Sequence, residues 1–131
     1  MVQNNRYGIE LILDLHGCNT RTFTREKLSR FFVELCQLID MKRHGDPMFW
    51  HDDSSIAHLK GISAVQFIET SNIVIHCLEI LEAVYLNIFS CKEFDVKKAE
   101  RFSIDFFGAQ EQRSMVIDRH LSKTLSSTFI A

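Results

Sequence analysis

The sequence predicts an α+β fold, a two-layer sandwich with an antiparallel sheet and two helices on one face. Three observations lead there. Short β-branched runs follow one another closely through residues 62–91, as strands joined by tight connections do. After Thr24 and again after Asp95, the pattern changes to the three- and four-residue apolar spacing of an amphipathic helix. One proline and five glycines leave no linker-like stretch, so the 131 residues read as a single domain, 1–131. That length supports a hydrophobic core without disulfide or metal staples.

Taken in order, residues 10–16 (ELILDLH) alternate, with Leu11, Leu13 and Leu15 on one side, and read as a half-buried strand. Gly17 to Thr22 make a polar turn. Thr24 is the N-cap of a helix whose apolar positions are Leu28, Phe31, Phe32, Leu35, Leu38 and Ile39, and Gly45 with Pro47 closes the segment. A short strand at Met48–His51 precedes the polar loop DDSS. Strands follow at Ile62–Ile68, Asn72–Leu78 and Val84–Cys91. Asp95 caps a second helix with Val96, Ala99, Phe102, Phe106 and Phe107 on one face, and Gly108 ends it. Residues 113–119 (RSMVIDR) read as a last strand, and the tail SKTLSSTFIA as loosely held.

Composition narrows the function classes. An apolar share of 46% and a charged share of 24% are those of an ordinary soluble globule. The net charge is −2 and no basic cluster is interleaved with aromatics, which argues against nucleic acid as a partner. The longest apolar run, IVIHCLEILEAVYLNIF, is broken by His76, Glu79, Glu82 and Asn87, so no membrane span is expected. MVQNNRYG lacks a signal-peptide profile, and the four cysteines form no CxxC pair. Free thiols in a cytoplasmic protein are the expectation.

The stretch FIETSNIVIHCLEI, residues 67–80, raises the question of chemistry. A serine between strands is commonly a turn residue, a histidine in an apolar strand a hydrogen-bonded core residue, and a buried cysteine a small hydrophobe. Metal is not expected. His76 and Cys77 are adjacent, so a strand points them to opposite faces, and His76 with Cys91 lacks third and fourth ligands at recognisable spacing. No GxSxG elbow surrounds Ser71, which leaves a hydrolase triad unsupported.

In combination these residues carry more. GISAVQFIETSNIVIH followed by VYLNIFSC resembles the small prokaryotic S-adenosylmethionine decarboxylase proenzymes: Gly61, Ser63, Ser71, His76 and Cys91 fall in register, with Phe89-Ser90-Cys91 at a strand end. ILDLHGC resembles that family's first strand, and the similarity spans roughly residues 8–118. The resemblance implies a chain that cleaves itself between Thr70 and Ser71, into 1–70 (β chain) and 71–131 (α chain). Ser71 would become a covalent pyruvoyl group, the cofactor, whose ketone forms a Schiff base with the amine of a small-molecule substrate. His76 would take the α-hydrogen of residue 71 during processing, a step suited to an imidazole. Ser63 would hydrogen-bond the cyclic intermediate of the acyl shift. Cys91 would reprotonate the substrate, and an ordinary thiol is mostly protonated at neutral pH, as a donor requires. The resemblance also implies a homodimer of processed protomers, active sites close to its interface, and a place in spermidine synthesis.

Strand parity adds a geometric expectation. Ser63 to Ser71 is an even step, which keeps one face if the strand runs on unbroken. Ser71 to His76 is odd, which puts Ser71 in the turn and off the regular pleat.

The chain also departs from the family pattern. Ile80 occupies the place of the glutamate that holds the nucleoside ribose, with Glu79 and Glu82 nearby but out of register. IAHLKG lacks the aromatic that stacks on adenine, Thr70 replaces an acidic residue, and Asn72 a histidine. Three readings follow: an S-adenosylmethionine decarboxylase, a divergent pyruvoyl decarboxylase of arginine or ornithine, or a non-catalytic regulatory paralogue. Intact Ser71, His76 and Cys91 argue against the third.

Overall fold

The structure, a computed structural model, describes residues 5–121; the tail SKTLSSTFIA lies outside them. Six strands form one sheet: β1 (Arg6–His16), β2 (Met48–Asp52), β3 (Gly61–Ile68), β4 (Ser71–Leu78), β5 (Ala83–Ser90) and β6 (Glu111–His120). Their order is β2-β3-β4-β5-β1-β6 and every neighbouring pair is antiparallel. Two helices, α1 (Arg25–Leu38) and α2 (Val96–Phe107), pack on one face, giving the predicted α+β sandwich.

The connections follow from that order. Consecutive antiparallel steps make β1 parallel to β2, and β5 parallel to β6. Parallel strands need a long crossover, and α1 and α2 supply the two. Both helices start where the sequence places them. Thr24 Oγ1 accepts the Lys27 amide at 3.1 Å and Asp95 Oδ1 accepts the Lys98 amide at 3.1 Å. Gly108, at φ 62°, ends α2 in the left-handed conformation that suits glycine.

Alternation along the strands splits the residues between two faces. Leu11, Leu13, Leu15, Ile62, Ala64, Ile73, Ile75, Leu86 and Ile88 are buried and share one core with Leu28, Phe31, Phe32, Leu35 and Phe107 of the helices. At its centre Phe31 meets Phe102, Phe106 and Phe107 with ring centroids 4.9–5.6 Å apart. Leu38 differs from its predicted place: as the last residue of α1 it is exposed, beyond the reach of the sheet. The strand ends also move. β1 begins at Arg6 and β6 runs from Glu111 to His120, because pairing with each other extends both past their alternating segments. β5 stops at Ser90, leaving Cys91 just outside the ladder.

Among the described residues, no helix tops the other face. It presents Met48 and Trp50 from β2, Ser63, Val65 and Phe67 from β3, Val74 and His76 from β4, Tyr85 and Phe89 from β5, and Met115 from β6. Nor is any described helix long and apolar enough to cross a membrane.

Candidate active site

Two clusters hold the residues singled out in the sequence. The first lies in the middle of the open face. Ser63 and His76 are register partners on β3 and β4, and Ser63 Oγ sits 2.7 Å from His76 Nδ1, a hydrogen bond whose direction follows the histidine tautomer. The ladder extends this pair into a row across all six strands: Trp50, Ser63, His76, Tyr85, Asp14 and Arg113. A cavity of about 300 Å³ lies on the β2 side of His76, against Met48, Trp50 and Val65. Another of about 340 Å³ lies on the β1 side, against Ile12, Asp14 and Tyr85. A larger cavity of about 700 Å³ runs along α2 past Leu38, Arg101 and Asp105. None of the candidate residues lines it, so chemistry and not size locates the site.

The second cluster lies at the end of the β3–β4 hairpin. Glu69 and Thr70 form the turn, and Ser71 pairs with Ile68 on one side and Ser90 on the other. Here the structure corrects the parity argument. Ser71 is the first residue of β4, on its regular pleat and not in the turn. The even step from Ser63 fails because the chain reverses between them. A two-residue turn makes Ile68 and Ser71 partners, so Ser71 takes the helix-covered face with Ile73 and Ile75, while Ser63 and His76 take the open one.

The Thr70–Ser71 peptide is gripped from the end of β5. The Cys91 amide donates to the Thr70 carbonyl oxygen at 3.0 Å. Ser71 Oγ accepts from Asn72 Nδ2 at 3.3 Å. Cys91 is exposed, whereas Cys18, Cys36 and Cys77 are buried. Burial pushes the Cys18 and Cys36 thiols up to about 11 and raises that of Cys77 further. Cys91 is therefore the one of the four cysteines open to a bound molecule.

Within one chain the two clusters stay apart. Five residues of extended strand, at ~3.3 Å each, separate Ser71 from His76 by about 16 Å, and the two side chains leave opposite faces. Ser71, Thr70 and Cys91 come together, as do Ser63 and His76, but the two groups do not meet. Among the described residues, no group of three His, Cys, Asp or Glu side chains is arranged to hold a metal ion.

Three participants escaped the sequence reading. Trp50, exposed, faces Ser63 from β2; its register on the short strand Met48–His51 is the signal that would have found it. Ser90 and Met41 contact Thr70, and nothing in the local pattern reports such a long-range contact. Ile80 lies exposed in the turn between β4 and β5, with Glu79 and Glu82 beside it, and offers no hydrogen-bond acceptor on its side chain.

The fold has a solved counterpart. The crystal structure of the adenosylmethionine decarboxylase from Aquifex aeolicus VF5 is similar over 94% of this chain and 98% of that one, with a TM-score of 0.75 at 15% sequence identity. No match to the sequence is found among curated proteins. The sequence profile of the family described as S-adenosylmethionine decarboxylase matches residues 9–120, from β1 to the end of β6, a span that contains Ser63, Ser71, His76 and Cys91. This chain belongs to the S-adenosylmethionine decarboxylase family.

Proposed function

We propose that the chain is a self-processing, pyruvoyl-dependent decarboxylase of S-adenosylmethionine, a carboxy-lyase working in the cytoplasm and feeding spermidine synthesis. The observation that carries the reading is the hydrogen bond from the Cys91 amide to the Thr70 carbonyl, beside Ser71, in a chain of this family. A donor on that oxygen draws electrons from the carbonyl carbon and favours addition of a nucleophile there.

The residues fit the making of a pyruvoyl group. Ser71 Oγ adds to the Thr70 carbonyl carbon, the C–N bond breaks, and the serine proton passes to the freed amine, leaving an ester. A base then removes the α-hydrogen of residue 71, and the Cβ–Oγ bond breaks. Residues 1–70 depart as a carboxylate, and water replaces the remaining nitrogen, released as ammonia. The pyruvoyl carbonyl supplies a sink for the electron pair left by carbon dioxide. Cys91, exposed at the same strand end, protonates the substrate's former α-carbon.

His76 is the base in this scheme and Ser63 its hydrogen-bonded partner, yet both stand about 16 Å from Ser71 along the strand. A second copy resolves the separation. We assign the open sheet face to a homodimer interface, with Ser63 and His76 of one copy beside the strand end that carries Ser71 and Cys91 in the other. Met48, Trp50, Phe67 and Met115, all exposed on that face, support a covered surface.

One observation favours a second substrate class. Ile80 cannot accept a hydrogen bond from ribose hydroxyls, and a polar group buried against it goes unpaired. Arginine or ornithine has no ribose to lose. The deciding experiment measures carbon dioxide release from carboxyl-labelled S-adenosylmethionine, arginine and ornithine side by side, with intact mass of the protein. Fragments 1–70 and 71–131 with release from S-adenosylmethionine are expected. Only full-length chain after long incubation sinks the mechanism, and release from arginine or ornithine alone moves the substrate.

A further inference from the structure

The turn Glu69–Thr70 is held from two sides. Residues 40–44 run along the end of β3, where the Glu69 amide donates to the Lys42 carbonyl at 2.9 Å and the His44 amide to the Phe67 carbonyl at 2.8 Å. On the other side lie residues 90–92, the end of β5 and the residues just after it. Among the described residues, the non-glycine positions with positive φ are Asp40 and Glu82, so neither turn residue has one. The connection is therefore not the type I′ or II′ turn whose twist matches a two-residue hairpin, and contacts from both flanking segments hold it.

Those contacts converge on the Thr70 side chain. Ser90 is fully buried, an unusual place for a hydroxyl unless it is paired. Its Oγ accepts the Lys92 amide at 2.9 Å and donates to Thr70 Oγ1 at 2.8 Å, and Thr70 Oγ1 in turn donates to Met41 Sδ at 3.4 Å. Each hydroxyl proton is used once, so the groups form a directed relay from the Lys92 amide through Ser90 and Thr70 to Met41. Ser90 Oγ also lies 3.8 Å from Met41 Sδ, a longer and weaker alternative for its single proton. Polar groups linked in one direction strengthen one another in a buried setting. The same three-residue segment thus holds residue 70 twice, by its side chain through Ser90 and by its carbonyl through the Cys91 amide.

We propose that Ser90 is a positioning residue for self-cleavage, its hydroxyl bond to Thr70 holding that carbonyl on the Cys91 amide for attack by Ser71. The inference rests on the self-processing reading above. Attack by Ser71 closes a five-membered ring through Cα, Cβ, Oγ, the carbonyl carbon and the peptide nitrogen. Its approach is set by the orientation of the Thr70–Ser71 peptide, which the two bonds to residue 70 fix. Without the Ser90 hydroxyl, only the Cys91 amide bond and the weaker Thr70–Met41 contact remain, and the peptide is held less firmly.

The test follows conversion of freshly purified full chain into fragments 1–70 and 71–131 by intact mass, in wild type, Ser90→Ala, Ser90→Thr and Thr70→Val. Loss of a buried hydrogen bond of this kind is expected to slow cleavage on the order of 10-fold. Ser90→Thr, which keeps the hydroxyl, should cleave within a few-fold of wild type. The Thr70→Val/Ser90→Ala double variant should be no slower than either single one, because both cut the same relay. Hydroxylamine, which opens esters, distinguishes the step: the proposal expects less ester in Ser90→Ala, so added hydroxylamine does not restore release of 1–70. Cleavage of Ser90→Ala at the wild-type rate, or full rescue by hydroxylamine, overturns it. If Ser90→Ala does not fold, as judged by melting in the uncleavable Ser71→Ala background, the cleavage rate of Thr70→Val decides alone. A wild-type chain that never cleaves brings down the self-processing reading itself, whereas a wild type that cleaves beside equally fast variants brings down only the role of Ser90.

Discussion

The two faces of this sheet come from the same strands yet are built for different neighbours. The helix-covered face buries mainly apolar side chains, and the chain closes it with its own Phe31, Phe32 and Phe107. The other mixes Trp50, Met48, Phe67 and Met115 with the Ser63–His76 pair, and neither α1 nor α2 covers it. An uncovered face that mixes exposed apolar side chains with a serine–histidine hydrogen bond fits the proposed homodimer interface. The contrast also explains why Ser71 and His76 are divided: each belongs to a different face of one strand.

Substitutions on either face test this division, with the largest effect expected at Ser71, the hydroxyl proposed to cut the chain. Ser71→Ala is expected to abolish cleavage entirely with the fold retained, read by mass and circular dichroism. His76→Ala should also fail to mature alone. Co-expressed with Ser71→Ala, its chain should be cleaved, since a mixed dimer holds one complete site. No fragment from the co-expressed pair argues that the two clusters do not combine across copies. On the covered face, Phe31→Ala should cost the protomer ~3–5 kcal/mol in denaturant melts, because the ring is fully buried among four others. On the open face, Val74→Arg should shift sedimentation toward the monomer while changing thermal stability by no more than about 1 kcal/mol. Equal responses of the two faces erase the distinction.

The smallest effect expected is alkaline. The Cys18 and Cys36 thiols are raised by burial to about 11 from an ordinary value of 9.0. Between those values the unfolded chain has lost thiol protons that the folded one keeps, so stability falls as pH rises from about 9 to 11 and is complete below that window. Melting temperature followed over this range checks it. Cys36→Ala should flatten part of the slope.

Much of this architecture was legible because its causes are local. Thr24 and Asp95 cap by their own side chains three residues ahead, and alternation marked the strands of residues 10–16 and 62–91 wherever one face is buried. The face of Ser71 was not legible. It depends on whether the turn before it holds an even or odd number of residues, and no propensity resolves that. The relay through Ser90 was hidden for another reason: its members lie 20 and 29 residues from Thr70. The individual site residues stood out through family resemblance, whereas their division into two clusters emerged only from the register.

The strand order bears on what a break at Thr70–Ser71 leaves behind. β1, β2 and β3 precede the break, while β4, β5 and β6 follow it. In the sheet β1 is inserted between β5 and β6, and β3 lies against β4. Two polypeptides cut there would be woven like fingers of clasped hands, and pulling them apart would mean unzipping three ladders at once. The severed molecule should therefore melt as one cooperative unit, its halves parting only in denaturant.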